Sequence, residues 1–140
     1  MKLELHATPE EVMRAVEAWQ EFGQAHQVPG KALFGLALAL EECASNIVNH
    51  ALRRDARQKF HVTLEYTGSE VSIELRDSGP AFDPTQACPV EDACPADDRP
   101  PGGWGIHLVR RHVDEIRYRR ADGQNVLQLT KRLVPAPEDQ

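Results

Sequence analysis

The segment Glu42-Cys43-Ala44-Ser45-Asn46 contains the first residues whose types and spacing suit chemistry. Glu42 and Asn46 are four residues apart in an apolar, Ala- and Leu-rich stretch. On a helix, this spacing places both side chains on one face, about one turn apart. Burying a carboxylate or an amide costs free energy unless the group is paired, so the pair indicates a functional site. Without other evidence, a Glu42 that simply faces water explains this spacing at least as well as a functional site does.

A second group, Asp77-Ser78-Gly79-Pro80-Ala81-Phe82-Asp83, directly follows a predicted strand. An Asp and a Gly at a strand end are also common in plain turns. In the functional interpretation, the Asp77 carboxylate accepts a hydrogen bond from the amino group of an adenine. Gly79 then lets the backbone approach the ring, and Phe82 packs against the base or beneath a lid.

A third group, Gly102-Gly103-Trp104-Gly105, opens a predicted helix. Glycines at this place let backbone N–H groups approach a polyphosphate, and a helix N-terminus favours the anion. A dinucleotide site needs a strand before such glycines, whereas here a long loop with six prolines precedes them. A loop of that length in a compact domain is usually functional, for example as a lid.

Periodicity predicts the elements that position these groups in the order strand, helix, helix, hairpin, long loop, helix, hairpin. Thr8, Pro9 and Glu11 predict the start of the first helix as a capping box with proline at the first helical position. The expected elements are a strand at 3–5, helices at 8–27, 31–54 and 105–113, and strands at 60–66, 71–76, 115–119 and 126–133.

This order predicts an α+β fold, a two-layer α/β sandwich in which a mostly antiparallel mixed sheet carries helices on one face. We expect one domain over residues 1–134 and a flexible C-terminal tail over residues 135–140.

Composition excludes several classes of function. A net charge of −6 argues against a nucleic-acid-binding surface, which needs clustered Lys and Arg. The sequence has neither an apolar run of the ~20 residues that span a bilayer nor the N-terminus of a signal peptide. We therefore expect a cytoplasmic protein without membrane or nucleic-acid contacts. Cys88 and Cys94 lack partners at zinc spacing, so a zinc site is not expected.

Taken together and in this order, the three groups resemble the nucleotide boxes of the gyrase, Hsp90, histidine kinase and MutL superfamily, whose fold is the Bergerat ATP-binding fold. The stretches EECASNIVNHA and GGWGIHLVRRHVDEIRYRR are most similar to the anti-sigma factor serine/threonine-protein kinase family. The resemblance extends over about residues 8 to 133. It implies an ATP- and Mg²⁺-dependent protein kinase that phosphorylates a small anti-sigma-factor antagonist and alternately sequesters a sigma factor.

The resemblance also implies the role of each residue. Asn46 coordinates Mg²⁺, a role that suits a hard oxygen ligand, and Glu42 is the catalytic base toward a seryl or threonyl hydroxyl. The residues implied in ATP binding are Asn46, Asn49, His50, Asp77, Gly79, Phe82, Gly103, Gly105, Ile106, His107, Leu108 and Thr130. For His50, a hydrogen-bonded core histidine is an equally good interpretation. Asp114 and Tyr118 also match family positions, and we interpret both as structural.

Members of this family usually pair as homodimers, with partners docking near the N-terminal strand and first helices. A second hypothesis is a non-catalytic module that binds nucleotide and sequesters a regulatory partner. A third is a histidine-kinase-like ATPase domain that acts in trans. Glu42 favours the kinase, because a module without catalysis has no need of that carboxylate. The long loop also contains several acidic residues, which are unfavourable near a negatively charged triphosphate.

Overall fold

The computed structural model describes residues 1–86 and 105–133, and the predicted order of elements is confirmed. The strands are β1 (Lys2–His6), β2 (Lys59–Tyr66), β3 (Glu70–Asp77), β4 (Glu115–Ala121) and β5 (Gln124–Arg132). The helices are α1 (Pro9–Ala25), α2 (Gly30–Asn46) and α3 (Gly105–His112), with a π-helical segment (Ile47–Ala51) and a short 3-10 helix (Pro84–Gln86). The predicted tail over residues 135–140 and most of the predicted lid lie outside the described residues.

Helix α1 begins as its sequence predicts. The Thr8 side chain accepts a hydrogen bond from Glu11 N at 3.3 Å, and Pro9 occupies the first helical position. The Glu11 carboxylate accepts from His6 N at 3.1 Å instead of closing the capping box on Thr8 N. The start of α1 is therefore tied to the end of β1.

The sheet has the order β1-β2-β3-β5-β4, and all four pairings in the described part of the chain are antiparallel. The α+β sandwich is thus confirmed, while the predicted mixed sheet is corrected to an antiparallel one. One face carries the core residues Phe60, Val62 and Leu64 of β2, and the side chains between them are more exposed. Helices α1 and α2 pack on the sheet, so this apolar face is the covered one.

The second helix changes its winding at its C-terminal end. Asn46 ends the α-helical part, and Leu52 N donates to Ile47 O, five residues earlier, at 2.8 Å. Arg53 and Arg54 then stop the helix with φ angles of 53° and 57°, a left-handed conformation that is uncommon outside glycine.

Within the described residues no helix combines the length and apolarity needed to cross a bilayer.

Helix α3 lies directly on α2. A Cβ atom added to Gly35 of α2 would be 2.6 Å from His112 Nδ1, so only glycine allows this closeness. The contact holds α3, which follows the long loop, beside the part of α2 that contains Glu42 and Asn46.

Candidate functional site

A cavity of about 330 Å³ lies between α2, α3 and the covered face of the sheet. Its volume is in the range of small-molecule sites, about 300 to 1,000 Å³. Five of the predicted site residues line it: Asn46, His50, Asp77, Phe82 and Ile106. Most of the remaining lining is apolar, which suits a flat heterocyclic base.

Asp77 is the buried polar group at the end of β3 and is only 4% exposed. Its Oδ1 accepts hydrogen bonds from Gly79 N at 2.8 Å and from Asn125 Nδ2 at 3.1 Å. Both hydrogen bonds that this carboxylate receives within the described residues end on Oδ1. Oδ2 is therefore left as an acceptor for a ligand with an N–H donor, such as the amino group of adenine.

The ionisation of Asp77 reflects two opposing effects. Burial raises the pKa of the Asp77 carboxyl above its ordinary value, because desolvation disfavours the charged form. The hydrogen bonds from Asn125 and Gly79 and the positive charge of Arg120 lower the same pKa, without cancelling the effect of burial.

Gly79 does not line the cavity, and its backbone passes close to Ala51 at the end of the π-helical segment. A Cβ atom at this position would be 2.9 Å from Ala51 Cβ, 3.0 Å from Ala51 O and 2.9 Å from Asp77 Oδ1. The close approach places the loop after β3 against the π-helical segment.

We expect Gly79→Ala to destabilise the protein by about 1–3 kcal/mol, as overpacking of a rigid contact typically does. The matched control is Gly30→Ala at the start of α2, where an added Cβ meets nothing within 4 Å. This control should be neutral or slightly stabilising, since alanine favours helix. Urea unfolding measures both variants, and equal midpoints would contradict the close approach at Gly79.

Asn46 and Glu42 occupy one side of α2. Asn46 is half-buried and lines the cavity. Glu42, also half-buried, is one helical turn closer to the N-terminus of α2 and does not line the cavity. The carboxylate is thus outside the lining of the cavity, on the same side of α2 as Asn46, which lines it.

Of the two predicted site residues in the π-helical segment, only His50 lines the cavity. His50 is exposed and lines the cavity. Asn49 does not line it, and its Oδ1 instead accepts a hydrogen bond from Arg54 Nε at 2.7 Å. The structure therefore places Asn49 in the contact that closes the helix end.

The first turn of α3 contains Gly105, Ile106, His107 and Leu108. Ile106 is buried and lines the cavity, whereas His107 and Leu108 are half-buried and do not. Since the N-terminus of a helix attracts anions through its N–H groups, this turn can receive phosphate without side-chain contacts. Gly103, which was predicted to contribute, lies outside the described residues.

The adenine contact expected from Thr130 is corrected by the register of the sheet. Thr130 pairs with Ser72, whereas Asn125 pairs with Asp77. Because side chains alternate across a strand, Thr130 lies on the face opposite to Asp77 and does not line the cavity. Asn125, and not Thr130, is the residue of β5 that lies beside Asp77 and lines the cavity.

Two residues of the site were missed from the sequence. Asn125 is 6% exposed, and its side chain contacts Asp77, the backbone of Pro80 and Phe82, and Tyr118. Tyr118, expected to be structural, lines the cavity and donates its hydroxyl to Asn125 Oδ1 at 2.6 Å. A signal was available for Asn125, because it is in phase with the apolar Leu127 and Leu129.

Neither cysteine chemistry nor a carboxylate-rich metal cluster is found in the described part of the chain. Cys43 lines the cavity, but burial raises its pKa to about 12, so it remains a thiol. No group of three His, Cys, Asp or Glu side chains that suits a metal ion occurs within residues 1–86 and 105–133. The apolar cavity favours binding of a flat base. Polar side chains of α2 such as Asn46 are then placed to contact the sugar and phosphate groups attached to that base.

The histidine kinase-like ATPase domain family matches the chain over residues 5–131. Serine/threonine-protein kinase BtrW of Bordetella bronchiseptica is 41% identical over 102 residues, which are 73% of this chain and 72% of BtrW. Serine-protein kinase RsbW of Bacillus cereus is 25% identical over 96 residues, which are 66% of this chain but only 59% of that protein.

Among solved structures, the RsbU and RsbW domains of Rv1364c from Mycobacterium tuberculosis match with a TM-score of 0.69 and 18% sequence identity. The match covers 95% of this chain and 31% of that chain, and it shows the fold. Together with the family match and the identity to BtrW, it confirms the predicted ATP-binding fold and enzyme class. The chain belongs to the anti-sigma factor serine/threonine-protein kinase family, within the histidine kinase-like ATPases.

Proposed function

We propose that this chain transfers the γ-phosphoryl group of ATP to a serine or threonine of a small anti-sigma-factor antagonist. In the same scheme it alternately sequesters a sigma factor, so that phosphorylation of the antagonist controls the exchange of partners. The observation that carries the proposal is that Glu42 lies one helical turn from Asn46, and that Asn46 lines a cavity suited to a base.

In this proposal the adenine lies in the apolar cavity, with its amino group donating to Asp77 Oδ2. Phe82, which is 41% exposed, packs on the base from the side of the loop. The polyphosphate extends toward the first turn of α3, where Gly105 and the amides of Ile106, His107 and Leu108 receive it. Gly103, two residues earlier in the sequence, is proposed to contribute as well. His50 contributes to the cavity wall from the π-helical segment.

The polar groups of α2 also suit a magnesium ion. Mg²⁺ usually keeps several waters and takes only one or two protein ligands together with substrate phosphates. The Asn46 amide oxygen is a ligand of this kind, and a site of this composition requires no cluster of carboxylates. When bound, the ion would neutralise phosphate charge and align the phosphates for transfer.

The Glu42 carboxylate then acts on the nucleophile. It accepts the proton of the seryl or threonyl hydroxyl as the hydroxyl oxygen bonds to the γ-phosphorus. The bond from that phosphorus to the bridging oxygen breaks, and ADP leaves with the electron pair. Since phosphoryl transfer depends mainly on positioning and charge, one well-placed carboxylate is sufficient.

The second hypothesis is a non-catalytic module of the same fold, which binds ATP and sequesters a partner without transferring phosphate. The half-buried position of Glu42 beside Asn46 favours the kinase. For either function we propose action in the cytoplasm as a homodimer, with partners docking near β1 and the first helices.

Incubating the chain with γ-labelled ATP, Mg²⁺ and the antagonist encoded by a neighbouring gene tests this function. We expect label on the antagonist, and little with Asn46→Ala or without Mg²⁺. Measured ATP binding by the wild type without any labelled antagonist would reject the kinase and favour the non-catalytic module.

A further inference from the structure

Asn125 uses its full hydrogen-bonding capacity in the described structure. Its Nδ2 donates to Asp77 Oδ1 at 3.1 Å and to Pro80 O at 2.9 Å. Its Oδ1 accepts from Phe82 N at 3.1 Å and from the Tyr118 hydroxyl at 2.6 Å. A side-chain amide offers two donors and two acceptor lone pairs, so all four are engaged.

These bonds connect the parts of the cavity that face a base. Asp77 supplies Oδ2, which accepts no hydrogen bond from residues 1–86 and 105–133, and Phe82 supplies a ring at the cavity wall. Arg120 Nη1 adds a hydrogen bond to Gly79 O at 2.8 Å, in the same cross-strand row as Asp77 and Asn125. The hairpin of β4 and β5 therefore holds the loop after β3 from one side.

We propose that Asn125, itself held by Tyr118, is a positioning residue that makes this kinase selective for a purine with a 6-amino group. The inference rests on the proposed use of ATP and adds the residue that orients Asp77 and Phe82 toward the base.

The selectivity follows from the different roles of the two carboxylate oxygens of Asp77: Oδ1 accepts hydrogen bonds from the protein, and Oδ2 is available to the base. Gly79 N and Asn125 Nδ2 both occupy Oδ1, which fixes the carboxylate plane and leaves Oδ2 as the acceptor at the cavity. A 6-amino group donates to this oxygen, while a 6-oxo group would place acceptor against acceptor. A hydroxyl side chain in place of Asn125 has one donor and is unable to hold both Asp77 and Pro80.

Asn125 also supports the charged form of Asp77. Its donated hydrogen bond lowers the pKa that burial raises. Without this donor the pKa of Asp77 should rise. ATP affinity, which requires the charged carboxylate, should then begin to fall at a higher pH than in the wild type. A residue that only stabilises the fold would not produce this movement.

The test compares dissociation constants for ATP and for purine riboside triphosphate, which carries hydrogen in place of the 6-amino group. The wild type should prefer ATP. Asn125→Ala should weaken ATP binding about tenfold or more, as the loss of a hydrogen bond to a charged group does, and change analogue binding less than about threefold. Because both nucleotides are measured on one variant, the ratio does not depend on the fraction of folded protein.

Tyr118→Phe is the milder variant, since it removes one hydroxyl and leaves Asn125 in place. It should reduce the preference for ATP in the same direction, by about threefold, in line with the loss of one neutral hydrogen bond. The control is Gln128→Ala, which lies on the opposite face of β5 and should leave the preference unchanged.

A preference for ATP that persists in Asn125→Ala, or an equal loss for both nucleotides, would overturn the inference while leaving the kinase intact. A wild type that transfers phosphate but binds both nucleotides equally would overturn it as well. Failure of the proposed function is distinct, because it appears as absent phosphate transfer by the wild type whatever the ratio of the two dissociation constants.

Discussion

Replacing Glu42 with glutamine should lower kcat for phosphorylation of the antagonist by about 10²- to 10⁴-fold, the usual contribution of a general base. Glutamine keeps the size and hydrogen-bonding reach of glutamate, but it does not take up the hydroxyl proton. Glu42 lies beyond the residues that line the cavity, so the dissociation constant for ATP should change little. Initial rates at saturating ATP, together with equilibrium ATP binding, measure the two effects separately.

The matched control is Glu41→Gln, which removes the same charge from the neighbouring position of α2. Glu41 is exposed, and adjacent helical positions point in directions about 100° apart. We expect this variant to keep wild-type kcat. Equal rates for Glu42→Gln and the wild type would show that Glu42 is not the base.

Asp77→Asn should weaken ATP binding by about 100-fold. The asparagine amide keeps an oxygen for Gly79 N and Asn125 Nδ2 but turns its NH₂ toward the base. Donor then faces donor where a charge-assisted hydrogen bond worth about 1.5–3 kcal/mol had been. Titration calorimetry with ATP measures the change, and unaltered affinity would contradict adenine recognition by Asp77.

The same variant should be more stable than the wild type in the absence of nucleotide. Burial raises the folded-state pKa of Asp77, so stability is lost as pH rises through that pKa and the carboxyl ionises. Asparagine avoids this loss at neutral pH, and the advantage should shrink as pH falls through the folded-state pKa. Thermal unfolding against pH measures it.

Asp122→Asn in the turn between β4 and β5 is the control for both effects, because it removes an equal charge at an exposed position. A lower melting temperature for Asp77→Asn at neutral pH would mean that the ionised carboxylate stabilises the apo fold. Such a result would contradict the balance between burial and hydrogen bonding described for Asp77.

Much of the fold could be predicted because its signals are local. Thr8 and Pro9 start α1 where a capping side chain and a fixed φ predict. The hairpin of β2 and β3 follows alternation that is visible in single strands. Placing Asp77 at a strand end and Asn46 on a helix needed no knowledge of distant contacts, and both line the same cavity.

The errors concern features that depend on pairing between distant segments. Thr130 was chosen for its hydroxyl, although only the pairing of β5 with β3 decides which residues share a face with Asp77. Tyr118 was interpreted as structural, and its hydrogen bond to Asn125, which joins two strands, is not visible in the sequence. The π-helical segment, which turns Asn49 toward Arg54, depends on packing of the helix end that no periodicity reveals.

The most direct test of the central claim, transfer of phosphate from this cavity straight to a serine or threonine, is a single-turnover reaction. The chain is loaded with γ-labelled ATP and Mg²⁺ and mixed with excess antagonist, and the acid stability of the labelled phosphate is followed on both proteins. We predict acid-stable phosphate on a serine or threonine of the antagonist and none on the chain at any time. Acid-labile phosphate on a histidine of either protein, or ATP that stays bound without transfer, would contradict the account.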